Sequence, residues 1–178
     1  MSWFEFGEDQ IIPVVGLGAY QPSVTFYNGR YHMLLAELNS ASAPDNGDWT
    51  IGHYESDNPL TGWARERGVE TLAYRDIKDC FRSSHSTECR MFTHEGKLYS
   101  FIDGTSRWNA AGNRGQRNIG LMMYDEMRMT WVPYHVGPIF AGYQYANNIW
   151  DLPYGHTGAI PSLLVDNDYL YFATALTQ

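Results

Sequence analysis

The stretch IGHYESDNPLTGW, Ile51 to Trp63, has a counterpart 68 residues on in IGLMMYDEMRMTW, Ile119 to Trp131. Both open on Ile-Gly, both carry Asp at the seventh place (Asp57, Asp125), and both close on Trp at the thirteenth. Chance can supply one matching pair. Four at a constant offset point to an internal repeat, and a repeat decides the fold before any chemistry is read.

The flanks keep the same rhythm. PSVTFYNGRYHMLLAE, Pro22 to Glu37, alternates apolar and polar residues on either side of an Asn-Gly pair, a strong hairpin signal. CRMFTHEGKLYSFID (Cys89 to Asp103) and IPSLLVDNDYLYFATAL (Ile160 to Leu176) follow the same logic. Their turns fall at Asn28-Gly29, Glu95-Gly96 and Asn167-Asp168, spaced 67 and 72 residues apart. After Trp63, Trp131 and Trp3 comes a further short run, read as an outer strand. The unit is therefore hairpin, Ile-Gly strand, Trp strand: four antiparallel strands in about 68 residues, with no helical stripe anywhere.

Four-stranded units repeated radially are the blades of a β-propeller, so the expected class is all-β. The competing architecture is a β-sandwich with coincidental turns. The expected layout is one domain over 1–178, with an N-terminal outer strand at 3–15, full blades at about 20–75 and 88–141, and a C-terminal hairpin at 158–177. The hairpin lacks an outer strand that residues 3–15 could supply, as in propeller ring closure. Three blades are fewer than the usual four to eight. A homodimer that completes the half-propeller by two-fold symmetry would cover the exposed blade faces. The rival reading is a piece of a longer chain.

Bulk properties restrict the partners. The 178 residues are 44% hydrophobic and 15% aromatic, enough for a real core and unlike a disordered chain. A formal charge of -8 argues against a general nucleic-acid surface and disfavours an anionic membrane. A neutral, hydroxyl-rich ligand is compatible with it. No stretch approaches the roughly 20 apolar residues that span a bilayer, and MSWFEFGEDQ does not read as a signal peptide, so the location is open between the cytoplasm, the default, and export by another route. Cys80 and Cys89, nine positions apart, are expected as thiols before a disulfide. No residue set calls for a cofactor.

Together with NGRYHMLLAE and DYLYFATAL, the two Ile-Gly to Trp phrases resemble the blade signature of five-bladed propeller glycoside hydrolases, the arabinanase/β-xylosidase group and its fructosidase-like relatives. The resemblance covers most of the chain but amounts to about three blades. It implies an active site at the channel mouth, where the innermost strands begin. There a carboxylate base precedes a Pro, a Glu before a Gly acts as general acid, and an Asp tunes that acid. Two carboxylates suit glycoside hydrolysis, since one protonates the leaving oxygen while the other attacks carbon or activates water. This chain departs from the pattern at both places. Gln21 stands before Pro22 and Thr157 before Gly158, and neither side chain transfers protons at ordinary pH. The carboxylate kept in an equivalent position is Glu88, 67 residues after Gln21.

Candidate catalytic residues are therefore Glu88, His156 and Asp151. Candidate substrate-binding residues are Gln21, Arg90, Trp108, Thr157 and His85. Glu88 in HSTECR has His85 and Arg90 as neighbours, either a tuned acid or a surface ion pair. His156 lies in the Gly- and Pro-rich DLPYGHTG, a loop type that often carries function, with Asp151 placed to orient it. Trp108, between Arg107 and Asn109, suits stacking on a sugar face or a dimer contact. Asp76 and Asp79 read as solvated loop residues. Trp3, Trp63 and Trp131 read as blade packing, and Asp57 and Asp125 as turn residues. His53 and Glu55 share one strand face, but a metal would need a third ligand, and none is marked in the sequence; no metal is expected.

The function expected from the resemblance is a glycoside hydrolase-like protein acting on an oligo- or polysaccharide. The alternatives are a non-catalytic carbohydrate-binding propeller and a structural assembly protein.

Overall fold

The computed structural model describes residues 18–38, 49–66, 89–105, 117–134, 139–141, 162–166 and 169–173. Strands β1 (Gly18–Tyr27) and β2 (Arg30–Leu38) are joined at Asn28-Gly29, where φ is 49° and 81°. Two successive left-handed residues make the turn whose twist matches a hairpin, and Asn-Gly adopts it at least cost. β3 (Trp49–Ser56) pairs antiparallel with β2, and β4 (Ala64–Arg65) with β3, giving the order β1-β2-β3-β4.

The second sheet is built alike. β5 (Cys89–His94) and β6 (Lys97–Thr105) turn at Glu95-Gly96, again with positive φ at both residues. β7 (Arg117–Asp125) and β8 (Thr130–Pro133) complete the order β5-β6-β7-β8. β9 (Phe140–Ala141) also pairs with β7, at Ile119 and Asn118, while β8 pairs with residues 122–125. The run after Trp131 thus follows one strand edge in two pieces. β10 (Ser162–Asp166) and β11 (Tyr169–Ala173) form a separate hairpin. Ile-Gly holds the same ladder position in both sheets: Gly52 lies opposite Leu35, and Gly120 opposite Ile102.

Alternation along β2 and β3 gives the first sheet two different faces. Met33, Leu35, Tyr54 and Trp63 cluster on one. Leu34 and Ile51 on the other join Tyr27, Cys89, Met91, Leu98, Ile102, Met122, Tyr124 and Trp131 in a core shared with the second sheet. Burial of Leu34 alone contributes on the order of 2 kcal/mol. Trp63 and Trp131 are both buried, as blade packing requires, whereas Trp3 lies outside the described residues.

The first strands of the two sheets run side by side, with the Met91 N–H donating to Ser23 Oγ at 2.8 Å. At the turn end, the Tyr27 hydroxyl donates to Glu126, and Asn28 Nδ2 donates to the same carboxylate at 2.9 Å. Turn residues of one sheet thereby fasten to the β7–β8 turn of the other. Among the described residues the strands make two blade-like sheets and a hairpin, without a closed ring, and no helix is long and apolar enough to cross a membrane.

Candidate functional site

Two places in the described fold carry chemistry, and they draw on different residues of the first sheet: the Gln21-Pro22 bulge opposes Leu35, whereas His53 lies opposite Leu34 and Glu55 opposite His32.

The first is where β1 and β5 begin. Pairing of β1 with β2 skips between Tyr20 and Ser23, so Gln21 and Pro22 together oppose Leu35 in a β-bulge. Gln21 has φ 54°, a left-handed conformation that disfavours a residue with a Cβ and costs on the order of 1 kcal/mol. The Gln21 carbonyl lies 3.9 Å from Cys89 Sγ, so the heads of the two strands meet here. Half-buried Arg90 donates from its guanidinium to the Cys89 carbonyl at 2.7 Å. Of the residues singled out in the sequence, the fold thus brings together Gln21 and the Cys89–Arg90 segment. His85, Glu88, Trp108, Asp151, His156 and Thr157 lie outside the described residues, as do Cys80, Asp76 and Asp79.

The second place is near the hairpin turn. His32 on β2 lies opposite Glu55 on β3, and Leu34 lies opposite His53, so all three polar side chains share one face. His32 Nδ1 is 3.0 Å from His53 Nε2 and 3.3 Å from Glu55 Oε1. One donor atom from each residue lies within 4.8 Å of the others, and all three residues are buried. The other ring nitrogen of His32, Nε2, sits 3.2 Å from the Tyr27 carbonyl. A carbonyl only accepts, so Nε2 carries the proton and Nδ1 faces the cluster. Arg30 donates to Glu55 Oε2 at 2.6 Å and to Asp57 Oδ1 at 3.0 Å. The His53 ring meets Tyr124 and Trp131 of the second sheet edge-on, and its Nδ1 has no partner among the described residues.

Burial sets the protonation states. It pushes His53 down to about 3, with neighbouring His32 adding to the effect. Burial also lowers His32, against the pull of the Tyr27 carbonyl. Glu66 is raised by burial and then by the charge of Glu55, and Tyr124 is pushed up to about 12 by burial and Glu55. The imidazoles are thus held neutral, the state in which histidine accepts protons or binds metals.

On the opposite face of the same sheet a third polar group is purely structural. Glu37, completely buried, accepts from the Tyr54 hydroxyl and from Arg65 Nε and Nη2 at 3.2 and 3.0 Å.

The sequence reading found His53 and Glu55 but not their partner. His32 becomes the third donor only through the β2–β3 register, which the intervening loop hides from local inspection. Asp125 acts in a turn as expected, its Oδ1 accepting from the Arg128 N–H at 3.2 Å, whereas Asp57 accepts from Arg30 and the bonds of the following turn are made by Ser56 Oγ and Asn58 Oδ1.

No family model and no curated protein matches the chain. Solved structures do match. A protein from Parabacteroides distasonis proposed to be a glycoside hydrolase superposes with a TM-score of 0.57 at 15% identity, over 88% of this chain and 42% of that one. A glycosyl hydrolase from Bacteroides ovatus gives 0.54 at 16%, over 72% and 34%. An exo-1,5-alpha-L-arabinanase from a bovine ruminal metagenomic library gives 0.51 at 17%, over 73% and 44%. At such identities the likeness is one of fold, that of glycosidase-type β-propeller blades. The chain spans about two-fifths of the length of the first of these structures.

Proposed function

We propose that this chain contributes about three blades to a glycosidase-type β-propeller and acts on an oligo- or polysaccharide where the first strands begin. The strained Gln21-Pro22 bulge beside Cys89 carries the reading. Non-glycine residues in the left-handed region cluster at ligand sites, where the surrounding structure supports the strain. Glu88, next in sequence to Cys89, is the proposed acid, with His156 and Asp151 completing the proton-transfer set. Gln21, Arg90, His85, Thr157 and Trp108 are the proposed sugar contacts. A second copy of the chain, or further blades of a longer one, would close the ring.

One observation favours a second reading, a carbohydrate-binding propeller without turnover. Gln21 supplies an amide where a proton-transferring carboxylate would serve hydrolysis. A panel of plant and microbial polysaccharides, assayed for reducing-sugar release and for binding, separates the two. Release abolished by Glu88→Gln supports the hydrolase. Binding that survives Glu88→Gln, with no release at any pH, supports the binding module. Neither binding nor release overturns both.

A further inference from the structure

We infer that His32, His53 and Glu55 form a site for a zinc-class divalent cation on the face of the first sheet where His53 meets Tyr124 and Trp131 of the second. The site is built from residues other than those of the Gln21 bulge and is argued independently of the saccharide reading.

The first ground is geometry. His53 and Glu55 are two apart on β3 and point the same way, and His32 faces Glu55 across the ladder. This strand arrangement brings one donor atom of each residue within 4.8 Å of the others on one face. Two imidazoles and a carboxylate match the donors that zinc takes in three-ligand sites, leaving a fourth corner for water. Calcium and magnesium favour shells of six or more oxygens and fit the set poorly.

The second ground is the support behind the donors. The Tyr27 carbonyl fixes the His32 tautomer so that Nδ1 presents a lone pair. Arg30 grips Glu55 Oε2 and leaves Oε1 toward His32. His32 Nδ1 and Glu55 Oε1 stand 3.3 Å apart, about the separation of two donors on one tetrahedral zinc ion.

The third ground is the other sheet. At the matching ladder places, β6 and β7 carry Tyr99 opposite Met123 and Phe101 opposite Leu121. Tyrosine, leucine and methionine therefore satisfy the same pleat positions that hold His32, His53 and Glu55 in the first sheet. Blade packing alone does not call for two histidines and a carboxylate, and burying them without a partner is unfavourable.

Cation capture would join β2 and β3 rigidly where His53 meets Tyr124 and Trp131. The test uses the full chain stripped with a chelator and titrated with zinc by calorimetry, then with cobalt for its visible spectrum. The expected result is one equivalent bound, a four-coordinate cobalt spectrum, and a melting temperature that rises with zinc. His53→Leu, the residue type of the second sheet, should abolish stoichiometric binding. Arg30→Gln should weaken it by about 10-fold or more through the loss of its grip on Glu55. Glu55→Gln keeps the shape and serves where His53→Leu fails to fold; it should also lose the cobalt signature. Absence of stoichiometric binding in the stripped chain would overturn the site. So would binding unchanged by Glu55→Gln.

Discussion

The carboxylate of Glu37 lies directly over Gly52, so that a Cβ built at position 52 would stand 2.8 Å from Glu37 Oε2 and nearer still to the rest of the group. The glycine of the Ile-Gly phrase in the first sheet is thus a seat for a buried acid. Gly52→Ala should destabilise the chain by about 1–3 kcal/mol, the usual cost of overpacking a filled core. Urea unfolding checks this. Paired with Glu37→Ala, the same change should cost clearly less than the sum of the two single changes, because the obstruction is gone.

Arg65 neutralises that acid with two hydrogen bonds, and its own pKa is held up by Glu37 against the effect of burial. Arg65→Met should therefore cost about 3–5 kcal/mol, since it strands a charge in the core. Glu37→Gln in the same chain should recover part of the loss. Additive losses in this pair would show that the two groups act separately.

Acid should weaken the metal-free protein through His53. Its unfolded imidazole takes up a proton near pH 6.5, whereas the folded one resists until about pH 3. The unfolded state therefore holds more protons between these values. Stability is fully present above pH 6.5 and falls by up to about 1.4 kcal/mol per pH unit below it. His32, lowered in the same direction, adds to the fall, while Glu66, raised by burial, opposes it. Denaturant unfolding in chelator across this window should show a shallower slope for His53→Leu. An unchanged slope would mean that His53 is protonated in the fold.

Solution mass tests how the blades are completed. Light scattering over a concentration series should give about twice the 20.3 kDa of one chain, persisting on dilution, if two copies close the ring. A monomer would rule out the half-propeller dimer and leave further blades of a longer chain as the means of closure.

Much of the architecture was legible because hairpins are local. Asn28-Gly29 and Glu95-Gly96 announce left-handed turns, alternation assigns the faces, and the Ile-Gly to Trp spacing aligns β3 with β7. The turn role of Asp125 and the burial of Trp63 and Trp131 also followed from their recurrence. What the chain order could not supply was the pairing between residues separated by loops. His32 meets Glu55, Glu37 meets Arg65, and Tyr27 meets Glu126 only when sheet register and sheet packing are set. A two-residue turn fixes its own geometry through backbone sterics. Register across a ten-residue connection is instead chosen by which faces bury together, a decision of the tertiary structure.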